Sequence, residues 1–452
     1  MIKKLNFKQT ITVASMLFGL FFGAGNLIFP VSMGQNAGSQ SWAAAIGFCV
    51  TGVGLPLLGI AALAISRSSG LFDLSSLVSK GYAYFFTVAL YLTIGPLFAI
   101  PRTATVSFQV GVAPLLPGEN QQVALGIFSI LFFAVVLFFS LKPHGILDWI
   151  GKILNPIFLT FLAILVIVAL IHPMGDMSVV KPSSEYAAHT FFAGFLEGYN
   201  TMDVLASLAF GVILVDVVRG LGVKEPQDTA LSAIKSGLYS SAMMVGIYVV
   251  LTIIGSQSVD VIGVSSDGGT ALFKIAQHYF GTFGGVLLGI IITVACAKTA
   301  IGLITSLSTT FTSLFPRVMT YNRWAILFTI ISASIANAGL NAIITVSVPA
   351  LSFLYPLAIA LIILALCGKL FHYRTSVFVW GIGLTTASAT LTLLVSIVGL
   401  FKAQVPAVYN AVSALNRLQP LSQYGMGWIV PLIVGVIIGA SLRTKSSQKK
   451  EK

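Results

Sequence analysis

The chain has 452 residues, of which 57% are hydrophobic and 8% are charged. Soluble domains are about a quarter charged, and a mean hydropathy of +0.97 is too high for one globular core under a polar surface. These totals exclude a soluble enzyme, a fibrous protein and a disordered chain. The net charge of +12 comes from basic residues near the termini and in short connections, which is typical of membrane topology. We predict an all-α polytopic membrane protein that is embedded in the lipid bilayer and binds no nucleic acid.

A helix needs about 20 mostly apolar residues to cross the hydrocarbon core of a bilayer. The twelve segments that we select by this rule are 10–33, 41–65, 81–109, 121–141, 148–171, 188–218, 230–255, 282–311, 322–340, 342–366, 376–400 and 427–441. The third and sixth segments are long enough to be tilted or broken, and the last is short. The first apolar segment follows the lysine-containing N-terminal segment 1–9 and continues without a signal-peptide cleavage pattern, which favours a membrane span.

The basic residues predict the orientation of these twelve transmembrane helices. Lys and Arg concentrate at the N-terminus, in the connections after even-numbered spans and in the tail 442–452. The opposite side holds only Lys181, Lys274, Lys402 and Arg417. Because basic residues accumulate in cytoplasmic connections, we expect both termini to be cytoplasmic.

Two segments carry helix-breaking residues at similar depths. The first contains the sequence GAGN at 23–26, and the sixth contains GYNTMD at 198–203. A broken backbone inside a membrane is tolerated only where it is buried in protein or lines a cavity. Glycines can also serve close helix packing alone, but two matching breaks that include Asn and Asp favour a binding site.

Five spans precede the second broken helix, so the two halves of the chain would have opposite orientations. A five-plus-five inverted repeat with broken helices 1 and 6 is typical of secondary transporters that bind their substrate near the membrane midplane. The predicted organisation is an N-terminal segment 1–9, a first repeat 10–172 with helices 1–5, a second repeat 188–366 with helices 6–10, helices 11 and 12 at 376–441, and a basic tail 442–452.

Four runs of sequence are distinctive: GAGNLIFP from Gly23, VGLPLL from Val53, GPLFAIPRTATVSF from Gly95 and GYNTMD from Gly198. They resemble the bacterial branched-chain amino acid permeases of the LIV–cation symporter family, and the likeness extends to SVPALSFLYP from Ser347. The resemblance implies a leucine-transporter-like fold and import of leucine, isoleucine and valine with Na⁺ or H⁺ across the bacterial cytoplasmic (inner) membrane. It implies no other cofactor and no obligate protein partner. A carrier of the same fold for another amino acid or a nucleobase is the alternative.

The first break offers groups that suit the carboxylate of an amino acid. We expect the helix to end just before Gly23 and to restart near Leu27. The restarted helix would present free N–H groups and the positive end of its dipole. We therefore assign the substrate carboxylate to the backbone N–H groups of Ala24 and Gly25, with Asn26 beside them.

The sixth-span break is expected to bind the substrate ammonium. Backbone carbonyls at the ends of the half-helices would face it, at Gly198, Tyr199, Asn200 and Thr201. Asp203 follows this break directly, and we expect its carboxylate to attract the ammonium or the coupling cation.

The resemblance to carriers with this fold also implies a sodium site between the first and eighth spans. Its ligands here would be the carbonyls of Gly19 and Phe22 and the hydroxyl of Thr299. Lys298 departs from that pattern, and a charge at the bilayer centre costs roughly 2.5–3.5 kcal/mol. Either its ammonium occupies or guards the cation site, so that the carrier uses protons or no sodium, or it pairs with an acid or snorkels while Thr299 binds sodium. We favour the second interpretation.

Other polar residues complete the set of candidates. Arg102, in the outer half of the third span, is a candidate outer gate together with Glu197 or another acid of the sixth span. The five histidines show no metal-ligand spacing, and the three cysteines show no disulfide pattern. The sequence contains neither a phosphate-binding loop nor a cluster of catalytic residues. We therefore expect no metal beyond Na⁺ and no enzymatic activity.

Overall fold

The computed structural model describes residues 4–116, 118–141, 146–223 and 225–442, and within these ranges the chain forms helices and connections without β-strands. Side chains are described for the same residues except 24, 118, 146–158, 212, 215, 216 and 226. The start of the predicted N-terminal segment and all of the basic tail after residue 442 therefore lie outside the described residues.

Eighteen α-helices, numbered in chain order, occupy the described ranges. They are α1 (Phe7–Phe21), α2 (Ala24–Ala37), α3 (Ser41–Cys49), α4 (Leu55–Ile65), α5 (Leu71–Ser76), α6 (Lys80–Leu92), α7 (Ala99–Gly111), α8 (Gln121–Ser140), α9 (Ile146–Ile171), α10 (Ser184–Glu197), α11 (Asp203–Gly220), α12 (Pro226–Ile262), α13 (Gly268–Leu314), α14 (Tyr321–Ala336), α15 (Leu340–Leu366), α16 (Thr375–Leu400), α17 (Pro406–Arg417) and α18 (Ile429–Ser441).

Helices coincide with all twelve segments selected from the sequence. Seven helical stretches in the described part of the chain are long and apolar enough to cross a membrane: Gly25–Ile65, Lys80–Leu115, Gln121–Ser140, Gln227–Ile262, Gly268–Leu314, Leu340–Leu366 and Thr375–Leu400. Shorter apolar helices occur at Phe7–Phe21, Leu159–Ile171 and Ile429–Ser441. These stretches are those of a multi-pass membrane protein.

The first predicted break lies between α1 and α2. The chain leaves helical geometry at Phe22 and Gly23, and α2 begins at Ala24. The helix thus restarts three residues earlier than the predicted Leu27. The reason is a side-chain cap, because Oδ1 of Asn26 accepts a hydrogen bond of 2.9 Å from the backbone N–H of Gly23. This bond closes the first turn of α2.

The second predicted break lies between α10 and α11. A 3₁₀ turn at Gly198–Thr201 follows α10, and Met202 then adopts a left-handed conformation with φ of 62°. This conformation costs a non-glycine residue about 1–2 kcal/mol, so the surrounding contacts must hold it. The third segment is also broken, as its length predicted, by a π-helical turn at Thr93–Leu97 in which Gly95 is non-helical.

Close packing of α2 on α12 holds the helix that follows the first break in place. A Cβ atom added to Gly34 of α2 would lie 2.0 Å from the carbonyl oxygen of Thr252, and one added to Gly255 of α12 would lie 2.3 Å from that of Val31. The two backbones therefore touch without intervening side chains. Helix α12 also packs against α1, and α13 packs against α2 and α7.

Candidate functional site

A buried polar network joins the two breaks. The side-chain amide of Asn26, in the first turn of α2, donates a hydrogen bond of 2.6 Å to Oδ2 of Asp203, the first residue of α11. The same amide hydrogen-bonds the hydroxyl of Tyr248 on α12, which donates at 3.2 Å to Oδ2 of Asp203. Asn26 and Asp203 are each 2% exposed, and Tyr248 is fully buried. Three helices thus meet at one carboxylate.

Arg102 of α7 lies against the first turn of α2. Its Nη1 donates a hydrogen bond of 2.7 Å to the backbone carbonyl of Asn200, and its guanidinium lies 5.0 Å from the ring centre of Phe29. A Cβ atom on Gly25 would be 3.2 Å from Nη2 of Arg102. The predicted outer gate therefore contacts both breaks, and its hydrogen bond goes to a backbone carbonyl rather than to a carboxylate.

The turn at 198–201 is held largely by its own side chains. Thr201 donates a hydrogen bond of 2.9 Å to the carbonyl of Gly198 and accepts one of 3.2 Å from the backbone N–H of Asp203. The amide of Asn200 donates at 3.2 Å to Glu197, so this acid contacts the turn. The ring of Tyr199 stacks on Tyr355 of α15 at 4.0 Å between centroids.

A cavity of about 1240 Å³ lies beside the first break. It is lined mainly by α1, α5 with the connection before it, α6, α11 and the last part of α13, and it extends to Leu314 at the end of α13. Its lining includes Gly19, Lys298 and Thr299, three of the four predicted cation-site residues. The fourth, Phe22, is 6% exposed and stacks on Phe18.

Thr299 connects the cavity to the first break. Its Cγ2 and Oγ1 atoms would lie 3.6 and 3.8 Å from a Cβ atom on Gly23. The hydroxyl of Thr299 donates to the carbonyl of Ala295 in its own helix, which leaves oxygen lone pairs to face a ligand. The structure thus brings Thr299 next to the α1–α2 break, where the resemblance to carriers of this fold implies a cation site.

Tyr248 is the residue of this site that the sequence analysis did not select. A buried tyrosine hydroxyl needs a hydrogen-bond partner, so a tyrosine in the middle of the apolar seventh segment was an available signal. Thr51 was also missed. Its hydroxyl donates at 2.7 Å to the carbonyl of Phe195 in α10, and it would lie 1.9 Å from a Cβ atom on Gly198.

The fold is that of helical membrane transporters. It is similar to the inward-facing conformation of Mhp1, with a TM-score of 0.61 over 95% of this chain and 90% of that one at 13% sequence identity. It is also similar to MhsT in complex with L-phenylalanine, with a TM-score of 0.56 over 96% of this chain and 97% of that one at 15% identity. At these identities the likeness establishes the fold alone.

The sequence then gives the family. Residues 6–446 match the family described as branched-chain amino acid transport protein, and the chain belongs to that family. It is 49% identical over 436 residues to the branched-chain amino acid permease BrnQ of Lactobacillus delbrueckii subsp. lactis, covering 96% of each chain. It is 40% identical over 450 residues to BrnQ of Bacillus subtilis, covering 99% of this chain and 100% of that one. The family prediction is confirmed, and the family is one of transporters rather than enzymes.

Proposed function

We propose that the protein is a secondary active symporter that imports leucine, isoleucine and valine across the bacterial cytoplasmic membrane together with Na⁺ or H⁺. Membership of the branched-chain amino acid transport family supports the substrate class. The observation that carries the mechanism is the hydrogen bond of 2.6 Å between Asn26 and Asp203, which joins the two broken helices at one buried point. In carriers that work by alternating access, the substrate and ion sites typically lie where such discontinuous helices meet.

The proposed topology has twelve spans, with inverted repeats at 10–172 and 188–366, two further helices at 376–441 and both termini in the cytoplasm. The meeting of the first and sixth segments at their breaks supports this arrangement. The large cavity lies along α1, whose N-terminal end is the proposed cytoplasmic end. In this topology the cavity lies on the cytoplasmic side of the breaks, and we propose that it is the route to the cytoplasm.

The proposed substrate site lies at the two breaks. The carboxylate binds the first turn of α2 at Ala24 and Gly25, next to Gly23 and Asn26. The ammonium binds the carbonyls of the turn 198–201, close to the carboxylate of Asp203. An apolar pocket for the side chain favours Leu, Ile and Val over Ala, because each buried CH₂ contributes about 0.8 kcal/mol.

The proposed coupling site for Na⁺ uses the carbonyls of Gly19 and Phe22 and the hydroxyl of Thr299. The contact between Thr299 and Gly23 supports it. Lys298 lines the same cavity as Thr299. In a sodium-coupled carrier Lys298 stands beside the ion site, whereas in a proton-coupled carrier its ammonium takes the place of the ion.

Replacing Thr299 by alanine is expected to raise the sodium concentration for half-maximal leucine uptake by roughly tenfold or more, because the loss of one good oxygen ligand costs on the order of 1–3 kcal/mol. The measurement is initial uptake at varied sodium concentration. Thr309→Ala is the matched control, since Thr309 lines the same cavity on the same helix and its hydroxyl bonds the carbonyl of Thr305. An equal shift in both variants would contradict the assignment.

Radiolabelled leucine uptake by the purified protein in liposomes tests the function directly. A sodium gradient and a proton gradient are imposed separately, and unlabelled isoleucine, valine, phenylalanine and uracil compete. Leucine accumulation that isoleucine and valine inhibit is the expected result. Accumulation under the proton gradient alone would assign coupling to Lys298 or Asp203. If leucine does not accumulate, gradient-driven uptake of labelled phenylalanine or uracil would establish the alternative of a same-fold carrier for another substrate.

A further inference from the structure

We propose that Arg102 binds the substrate carboxylate directly, through the edge of its guanidinium formed by Nε and Nη2, together with the first turn of α2. This inference rests on the proposed function and assigns Arg102 to the substrate rather than to a gate. Four observations carry it: the burial of Arg102, its few partners, its position against the first turn of α2, and the hydrogen bonds that engage the nearby acids with other groups.

Arg102 is a buried cation with few protein partners. Its side chain is 4% exposed and makes one hydrogen bond within the described part of the chain, from Nη1 to the carbonyl of Asn200. No ion pair joins it to any carboxylate whose side chain is described. A guanidinium has five N–H donors, and the second edge, Nε with Nη2, has the spacing of a carboxylate. The charges of Asp203 and Glu197 act on this guanidinium without a direct ion pair. A buried charge that lacks a directly bonded counter-charge is unfavourable, so an anion bound at the second edge would stabilise the site.

The position of Arg102 strengthens this requirement. Nη2 lies 3.2 Å from where a Cβ atom of Gly25 would be, in the first turn of the 14-residue helix α2. The N-terminal end of a helix carries partial positive charge, so the guanidinium and the helix end repel each other. A carboxylate between them converts this repulsion into two attractions. Gly25 permits the close approach, because any larger residue would meet both Arg102 and the ring of Phe29.

The nearby acids are engaged by other groups. Oδ2 of Asp203 accepts hydrogen bonds from Asn26 and Tyr248, and Glu197 accepts one from the side chain of Asn200. Neither acid forms a salt bridge with Arg102. The turn 198–201 contributes the carbonyl of Asn200 to Arg102. A substrate carboxylate would therefore give the guanidinium of Arg102 a directly bonded anionic partner at the junction of the breaks.

The cavity ends close to this position. Gly19 and Thr299 line the cavity, and Thr299 lies against Gly23, two residues before Gly25. In the proposal, an amino acid that enters along α1 passes this contact between Thr299 and Gly23 to bind at the N-terminal turn of α2 and at Arg102. Its ammonium then points toward the turn 198–201, whose Asn200 carbonyl already lies at Arg102.

The proposal is tested by comparing the binding of leucine with that of leucinamide. Leucinamide keeps the ammonium and the side chain but lacks the carboxylate. Binding is measured by ligand-induced thermal shift of the purified full-length protein across a concentration series. We expect the unmodified protein to prefer leucine by roughly 100-fold, and Arg102→Gln to reduce this preference to about threefold or less by weakening leucine binding alone. Arg323→Gln, which changes an exposed arginine, should leave the preference unchanged.

The outcomes separate this inference from the proposed function. An unmodified protein that binds neither compound would refute the proposed function. A leucine preference retained in Arg102→Gln would refute the proposal that Arg102 binds the substrate carboxylate. A lower uptake rate with unchanged binding would then support the interpretation of Arg102 as a gate. If Arg102→Gln does not fold, Arg102→Lys decides the matter. A lysine cannot bind both carboxylate oxygens side by side, so the preference should fall by about tenfold, and an unchanged preference would refute the proposal.

Discussion

Replacing Asp203 by alanine is expected to abolish leucine uptake. The carboxylate accepts hydrogen bonds from Asn26 at 2.6 Å and from Tyr248 at 3.2 Å, and all three side chains are buried. Each hydrogen bond to a charged group contributes about 1.5–3 kcal/mol, so the loss of one alone corresponds to roughly 10- to 150-fold. Because the network joins α2, α11 and α12 at the substrate site, both the geometry and the charge of the site are lost. Initial uptake per folded protein in liposomes is the measurement.

Asp203→Asn is the companion variant that separates shape from charge. An asparagine oxygen can still accept from Asn26 and Tyr248, so the thermal stability of this variant should stay near that of the unmodified protein. Its uptake should remain strongly reduced if the negative charge attracts the ammonium or the cation. Near-normal, ion-driven uptake by Asp203→Asn would show that the residue is structural.

Replacing Gly255 by valine is expected to prevent the correct packing of α2 on α12. Its Cβ atom would lie 2.3 Å from the carbonyl oxygen of Val31 and 2.9 Å from the Cα atom of the same residue. Both obstacles are backbone atoms, so no change of rotamer relieves them and the helices must separate. Overpacking of this kind costs about 3 kcal/mol or more. The expected result is a lower thermal midpoint in detergent and a lower yield of monodisperse protein.

Gly246→Val is the matched control for that experiment. Gly246 lies on the same helix, and a Cβ atom there would meet no atom within 4 Å. Its stability should change little, because removing glycine from a helix interior is mildly favourable. An equal loss of stability in the two variants would contradict the claim that Gly255 is needed for the close contact between the α2 and α12 backbones.

Hydropathy and helix-breaking residues were sufficient to predict the helical segments and the location of both main breaks. They were not sufficient to predict where α2 begins. The restart at Ala24 depends on the side chain of Asn26 reaching back to the N–H of Gly23, a local bond that composition does not encode. Gly and Asn are weak helix formers by propensity alone, and the side-chain cap offsets this in the first turn of α2.

The partners of the polar residues required the three-dimensional arrangement. Asn26 and Tyr248 are 222 positions apart in the chain, so no local pattern relates them. Arg102 was expected to face an acid because opposite charges commonly pair inside membranes. Its actual acceptor, the carbonyl of Asn200, is exposed by the broken helix itself. A break therefore creates backbone partners for side chains, and sequence reasoning that considers only side chains overlooks them.

The cavity along α1 implies that transport moves water as well as substrate. A volume of about 1240 Å³ corresponds to on the order of forty water molecules at liquid density. If alternating access closes this cavity, these molecules leave and re-enter in every cycle. A solute too large to enter the cavity would then draw water out of it and favour the closed state, as excluded osmolytes do for compact states in general. The turnover of this carrier should accordingly depend on the osmotic pressure of the compartment into which the cavity opens, even when the gradients of leucine and of the coupling ion are held constant.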